Sequence, residues 1–341
     1  MPGCENSGMP ERSVSMDDVA RHVGLSRTTV SFVINGRMDI QISEKSRQRI
    51  WDAVDELGYR PNAGARSLAT QRTNLIGLIT DITSSPFGGG IIHGAQQAAW
   101  ELGKLMLIVS SEGDPAVESS ALEILLERRI EGVIFATQSH RRIVLPASAS
   151  EIPTVLVHCF DDAHAFPSVL PDEIAGGYAG TRRLIEAGHK RIALINLDPG
   201  LPATVGRQAG YARALEEAGI VIDPRLTVTG HATATGGFQA AGDLLDLDQP
   251  PTAIFCGTDR MAMGAYDAIK ERGLRIPDDI AVVGYDNQEI IAAFLRPPLT
   301  TVALPFDAMG AAAVRMLADL VTGPRPQHLT VAGPLIERDS V

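Results

Sequence analysis

The sequence predicts an all-α helix-turn-helix headpiece followed by an α/β core of two doubly wound lobes. Three observations carry that expectation. Two short amphipathic helix patterns flank Gly24 near the amino terminus. From Leu75 onward, apolar runs alternate with longer amphipathic stretches, as buried parallel strands alternate with covering helices. The runs fall into two series, and two series make two lobes. At 341 residues, 45% hydrophobic and 21% charged, the chain exceeds one typical domain and has the composition of a soluble globular protein.

In the headpiece, Ser15 and Asp18 have capping-box spacing, and Val19 and Val23 share a face before Gly24 permits the turn. Ser26 then caps a helix over Arg27 to Ile34, which turns Val30 and Val33 inward and leaves Arg27, Thr28 and Ser31 outside. Ser43 opens a third helix from Glu44 to Leu57, with Ile50, Val54 and Leu57 as its stripe and Gly58 as its stop. Helix, tight turn, helix is the geometry that seats a second helix in the DNA major groove, where Arg27 could fork onto guanine. A small helical bundle or a protein-docking module has the same outline.

Gly58 to Arg72 contains Arg60, Arg66 and Arg72 and no acid. Pro61 bars a helix from entering the segment, and Asn62 can cap a helix of about seven residues, too short to be stable alone. Such a segment suits folding against DNA, with Leu68 as a wedge between base steps in the minor groove. The plain alternative is a linker with an incidental leucine.

With these residues in view, the chain resembles the lactose-repressor and galactose-repressor (LacI/GalR) family of bacterial transcription regulators. The resemblance rests on DVARHVGLSRTTVSFVIN, ISEKSR, LGYRPNAGARSLA, LIEAGHKRIALI, RQAGYARAL, TDRMAMGAYDAI, IAVVGYDN and PPLTTV, in family order along nearly the whole chain. It implies a recognition helix at Arg27 to Ile34, an intercalating Leu68, a periplasmic-binding-protein-like core and a homodimer on a near-palindromic double-stranded operator. The expected DNA-contacting set is Met16, Ser26, Arg27, Thr28, Thr29, Ser31, Phe32, Asn35, Asn62, Arg66 and Leu68. Phe32 stands where many relatives carry a base-contacting arginine, so a different base is expected there, read by apolar contact such as with a thymine methyl.

The organisation expected is a tail at 1–12, a DNA-binding domain at 13–58, a hinge at 59–73 and an effector-binding and dimerisation domain at 74–341. The first lobe takes about 74–170 and 305–323, the second about 171–300 and 327–341. The resemblance puts the crossings near Val169 to Asp172, Thr300 to Pro305 and Gly323 to Gln327.

The net charge of -11 is unevenly placed. Residues 1–72 hold 10 Lys+Arg and 9 Asp+Glu, leaving 20 against 32 for the rest, so the body is near -12 and the DNA-proximal part near +1. That division limits indiscriminate binding by the body and turns the headpiece toward phosphate. Residues 1–12 lack an apolar signal core, and no run of about 18 apolar residues could span a bilayer. Cys4, Cys159 and Cys256 are scattered and odd in number, fitting neither disulfides nor zinc. A cytoplasmic, nucleoid-associated protein is expected.

Strands are expected at 75–80, 105–110, 132–136 and 153–158, then at 191–196, 226–230, 253–257 and 280–286, with second-series helices starting near Ala175, Thr204, Thr235, Asp259 and Asn287. Ligands bind such sheets beyond the carboxyl ends of the strands. The candidate effector residues are therefore Asp81, Phe87, His158, Arg207, Thr258 and Asp286. Carboxylates, a guanidinium fork and an aromatic face suit a polyhydroxylated ligand. Arg207 and Asp286 match the family residue by residue, whereas His158 replaces a common acid and Thr258 a common Asn. Asp259 reads equally as a helix cap, and Asp81 and Phe87 equally as loop packing.

Other features carry less. Asp161 and Asp162 point to opposite sides of an extended segment, and Gly88 to Gly90 lack a phosphate-loop pattern. His189 reads as structural. HExxH, CxxC and GxSxG are absent, so no enzyme, metal or cofactor is expected. The expected activity is repression of carbohydrate-utilisation genes, relieved by a sugar or oligosaccharide. A purine or other corepressor is the alternative within the class, and a transport-type sugar-binding protein the alternative outside it. The sequence shows no added leucine heptads, which fits a dimer.

Overall fold

A computed structural model of the chain describes residues 14–37, 40–60, 72–83, 89–320 and 328–341. The chain divides into two compact units, Met1–Thr73 and Asn74–Val341. Asn62, Arg66, Leu68 and Phe87, each expected at a binding surface, lie outside the described residues.

The first unit contains helices α1 (Met16–Val23), α2 (Arg27–Ile34) and α3 (Glu44–Leu57). Ser15 Oγ accepts from the Asp18 amide while Asp18 accepts from the Ser15 amide at 2.9 Å, a reciprocal cap. Gly24, at φ 65°, takes the left-handed conformation that closes α1. Val19, Val23, Val30, Val33, Ile50 and Val54 meet in one core, with Tyr59 buried beside them. Leu57 packs against this core only partly buried, because it is the last residue of α3 before Gly58.

The second unit holds two six-stranded sheets. The strands of the first are β1 (Leu75–Thr80), β2 (Leu105–Ser110), β3 (Val133–Arg142), β4 (Thr154–Phe160), β5 (Ser168–Pro171) and β11 (His328–Val331). Their order is β11-β5-β4-β3-β1-β2, and all pairs are parallel. The second sheet has β6 (Ile192–Asn196), β7 (Thr227–Thr229), β8 (Ala253–Cys256), β9 (Ala281–Asp286), β10 (Thr300–Ala303) and β12 (Leu335–Ile336) in the order β12-β10-β9-β8-β6-β7. Only β12 runs antiparallel.

Helices cover both faces of each sheet, which is why the strands read as apolar runs. In the first lobe, α4 (Gly89–Glu101) and α11 (Phe306–Leu320) share one core and α5 (Pro115–Glu127) seals the other. In the second, α8 (Ala234–Leu245) and α9 (Asp259–Glu271) cover one face, while α6 (Glu173–Glu186) and α7 (Pro202–Glu217) cover the other. α6 and α7 meet backbone to backbone. A Cβ on Gly177 would lie 2.3 Å from the Arg207 carbonyl oxygen, and one on Gly210 would lie 2.2 Å from that of Ile174.

Besides the short strands β5, β10, β11 and β12, which were not expected, three details differ from the sequence expectation. β3 runs on to Arg142 across an irregularity between Ala136 and Arg141, because TQSHRR lacks the apolar character by which a strand is recognised. The helix expected near Asn287 is a single turn, α10 (Glu289–Ala292). β11 pairs with β5 in the first sheet and β12 with β10 in the second, so a passage between the lobes follows Val331, whereas the crossing expected at 323–327 lies outside the described residues. His328 and Leu329 are exposed on this edge strand, so its sequence carries little burial signal.

The crossings lie side by side: the Asp172 amide donates to the Val331 carbonyl at 2.9 Å and the Ala303 amide to the Pro334 carbonyl at 2.8 Å. Among the described residues, no helix is long and apolar enough to cross a membrane.

Candidate functional site

A cavity of about 570 Å³ opens between the two lobes beyond the strand carboxyl ends. Asp81, His158, Arg207, Thr258 and Asp286 all line it, five of the six residues selected from sequence. Four of the nine described non-glycine residues with positive φ also line it: His158 (60°), Ala232 (51°), Asp286 (106°) and Asn287 (52°). Such conformations cost about 1–3 kcal/mol each and concentrate where a surrounding structure fixes a binding surface.

Arg207 is the most heavily engaged side chain of the site. It extends from the first turns of α7, 3% exposed, and its Nε donates to Glu173 Oε2 at 2.8 Å. Its Nη1 donates to the Gly257 carbonyl, and its guanidinium carbon lies 3.6 Å from the centre of the Tyr285 ring. Asp286 Oδ1 is 3.9 Å from the same Nη1. Burial alone would push the Glu173 carboxyl up, but the Arg207 charge and the neighbouring His140 hold it down to about 2. Against its own burial, Arg207 is raised further by Glu173. Asp286 goes the other way: burial, assisted by the negative Glu173, raises it to about 7 despite Arg207.

His158 sits at the end of β4 with its Nδ1 3.1 Å from the Thr137 carbonyl. Burial lowers it to about 4, so it is uncharged at neutral pH, and a ring donating from Nδ1 keeps Nε2 as an acceptor. The Phe306 ring meets it edge-on at 5.3 Å. Asp81 accepts from the Gln138 amide at 2.7 Å and from Arg141 Nη2 at 3.1 Å. Thr258 caps α9, its Oγ1 accepting from the Met261 amide at 3.1 Å. Asp259 is thus not the cap. It is fully buried, takes hydrogen bonds at 2.6 Å from both Thr301 Oγ1 and the Gln288 amide, and does not line the cavity.

Sequence reasoning missed Glu173, His140, Gln138, Arg260 and Phe306, all of which line the cavity. The segment TQSHRR was a visible signal: a polar extension of an apolar strand, at its carboxyl end.

On the headpiece, α2 presents exposed Arg27 and Thr28 and half-buried Ser31 and Phe32. Ser26 Oγ accepts from the Thr29 amide at 3.1 Å and lies 2.8 Å from the Thr29 hydroxyl. Asn35 donates to Ser31 Oγ at 3.1 Å, and the Arg37 guanidinium lies 5.7 Å from the Phe32 ring centre. Arg27 is 3.5 Å from Asp17, an exposed pair of little energetic weight. Met16 is half-buried against the headpiece core.

A helix-turn-helix unit joined to a two-lobed core with an interlobe cavity defines a regulator with separate DNA-facing and ligand-facing parts. Residues 15–62 match the family described as bacterial regulatory proteins, lacI family, and residues 181–341 match the periplasmic binding protein-like domain. The chain is 39% identical over 298 residues to the HTH-type transcriptional regulator DegA of Bacillus subtilis (strain 168), covering 86% of this chain and 87% of that protein. A solved complex of the transcriptional regulator CelR with cellobiose matches at 30% identity and TM-score 0.65, over 96% of this chain and 100% of that one. The Lac repressor dimer bound to operator and the anti-inducer ONPF matches at 29% identity and TM-score 0.74, over 96% and 99%. This chain belongs to the LacI family of bacterial regulatory proteins and is a DNA-binding transcriptional regulator.

Proposed function

We propose that this regulator is a homodimeric repressor of carbohydrate-utilisation genes, released from a near-palindromic operator by a sugar or oligosaccharide bound between the lobes. The observation that carries this reading is the cavity itself. Its size suits a mono- or disaccharide, and Asp81, His158, Arg207, Thr258 and Asp286 give it the mixture of acceptors and donors that hydroxyls require. The cellobiose bound to CelR supports the same ligand class.

On the DNA side, α2 is the recognition helix. Arg27 reads a base edge, Thr28, Ser31 and Phe32 complete the reading surface, and Ser26, Thr29, Asn35 and Met16 set the helix against the backbone. The effector acts only as far as it prefers one lobe arrangement over the other, which for this kind of coupling is about 1–3 kcal/mol.

The test is a thermal-shift panel of mono- and disaccharides, nucleosides and purine bases on the parent and on Arg207→Ala, followed by operator anisotropy with each hit. A sugar should stabilise the parent but not the variant, and weaken operator binding about 5–150-fold. Stabilisation by a purine base alone, or a ligand that tightens the operator complex, would refute induction by sugar.

A further inference from the structure

We propose that the buried Glu173–Arg207 pair makes the interlobe cavity a receptor for uncharged ligands and bars phosphorylated ones. The proposal rests on the reading of that cavity as the effector site, and adds charge to what the site selects.

Arg207 is the deep cation that an anionic ligand would seek, yet its positive charge is already spoken for. Glu173 Oε2 accepts from Nε at 2.8 Å, the Gly257 carbonyl accepts from Nη1, Tyr285 covers one face and Asp286 stands 3.9 Å away. A phosphate reaching this guanidinium would meet the ionised Glu173 carboxylate, with Asp286 beside it. The remaining wall does not compensate. Among the described residues, five carboxylates, Asp81, Glu173, Asp286, Glu289 and Asp307, line the cavity against two guanidiniums, Arg207 and Arg260, and both of these act on Asp286. Like charges set together with little water between them repel strongly, enough for a discrimination of about 100-fold or more.

A second observation points to what the site does accept. Glu173 Oε1 and His140 Nδ1 are both buried without a hydrogen-bond partner, and they stand 3.6 Å apart, too far to satisfy one another. Both side chains line the cavity. A hydroxyl can donate to this carboxylate oxygen and offer its own lone pair to a ring N–H. An ionised phosphate oxygen can only accept, and would leave Glu173 facing a second anion.

The experiment compares matched pairs by thermal shift: ribose and ribose 5-phosphate, glucose and glucose 6-phosphate, adenosine and adenosine 5′-monophosphate, with millimolar inorganic phosphate as a separate probe. The proteins are the parent, the isosteric Glu173→Gln and, as a second charge-removing variant, Asp286→Asn. The expected result is a parent that responds to an uncharged member at least ~100-fold more tightly than to its phosphorylated partner. It should ignore inorganic phosphate, while at least one variant gains a phosphate response. A parent that binds the phosphorylated member as well as or better than the uncharged one overturns the proposal, and so does the failure of both folded variants to gain phosphate binding. If no sugar of either kind acts on the parent, the sugar reading fails separately, and the phosphate probe on the two variants still decides the charge proposal.

Discussion

At the residue scale, the cavity is held by charges that are costly to remove singly. Arg207→Ala leaves Glu173 buried against Gly206 with no cation beside it, and breaking a buried pair from one side costs about 3–5 kcal/mol. Arg207→Met combined with Glu173→Leu removes both charges and should recover much of that loss in a denaturant titration. A double variant as unstable as Arg207→Ala would mean that packing, and not charge, is what the pair contributes.

His158 and Asp286 bias stability with pH in opposite directions. With a folded value near 4 against an ordinary 6.5, His158 binds fewer protons when folded. Its contribution is complete above pH 6.5 and is lost as pH falls toward 4, a range worth about 3 kcal/mol. Asp286, raised from 3.8 to about 7, binds more protons when folded, so its contribution is full below 3.8 and lost as pH rises through 7. The two nearly cancel in the parent. Asp286→Asn should therefore melt higher at pH 7 than at pH 5, and His158→Gln the reverse. Parallel pH profiles for the two variants would contradict these assignments.

Arg207 and Asp286 were legible in the sequence because each matches the family residue by residue, and Asp286 also closes an apolar strand. Glu173 was not. Its carboxylate reaches Arg207 only because α6 and α7 approach more closely than helices with side chains between them could, and that distance is not written at either residue. His140 was hidden for another reason: the strand that carries it continues after its apolar character has ended.

At the scale of elements, that close approach is itself testable. Gly210→Ala places a methyl 2.2 Å from the Ile174 carbonyl oxygen and 2.4 Å from the Tyr178 amide nitrogen, so the helices must separate. Overpacking of this kind costs about 1–3 kcal/mol. Since Glu173 and Arg207 bridge the same two helices, the thermal shift induced by an effector of the cavity should shrink along with the melting temperature. A variant that melts lower but responds fully to that effector would show that the pair tolerates the separation.

Most elements were readable because capping residues and apolar periodicity act locally. Ser15, Ser26 and Ser43 all cap the helices assigned to them. The passage after Val331 was not anticipated, because β11 is placed by pairing with β5, more than 150 positions earlier, and not by its own four residues.

At the scale of the whole molecule, charge is segregated between a nearly balanced amino-terminal part and a strongly acidic body. Operator binding should therefore depend on contacts made by the headpieces. With about 6–10 phosphate contacts from a pair of them, affinity should fall about 10³-fold or more between about 50 and 200 mM salt, measured by anisotropy. A flat salt dependence would exclude headpiece contacts with phosphate as the source of affinity.

The three passages between the lobes lie shoulder to shoulder, hydrogen-bonded from Asp172 to Val331 and from Ala303 to Pro334. Mechanically they have the layout of a leaf hinge, three strips fastened along one line. At Gly333, a Cβ would lie 1.8 Å from the Ala303 carbonyl oxygen, so any larger residue there would act as a shim driven between the leaves. A single protease nick in one leaf would leave two still fastened, and the severed fragments should travel together on a native column and part only under denaturant.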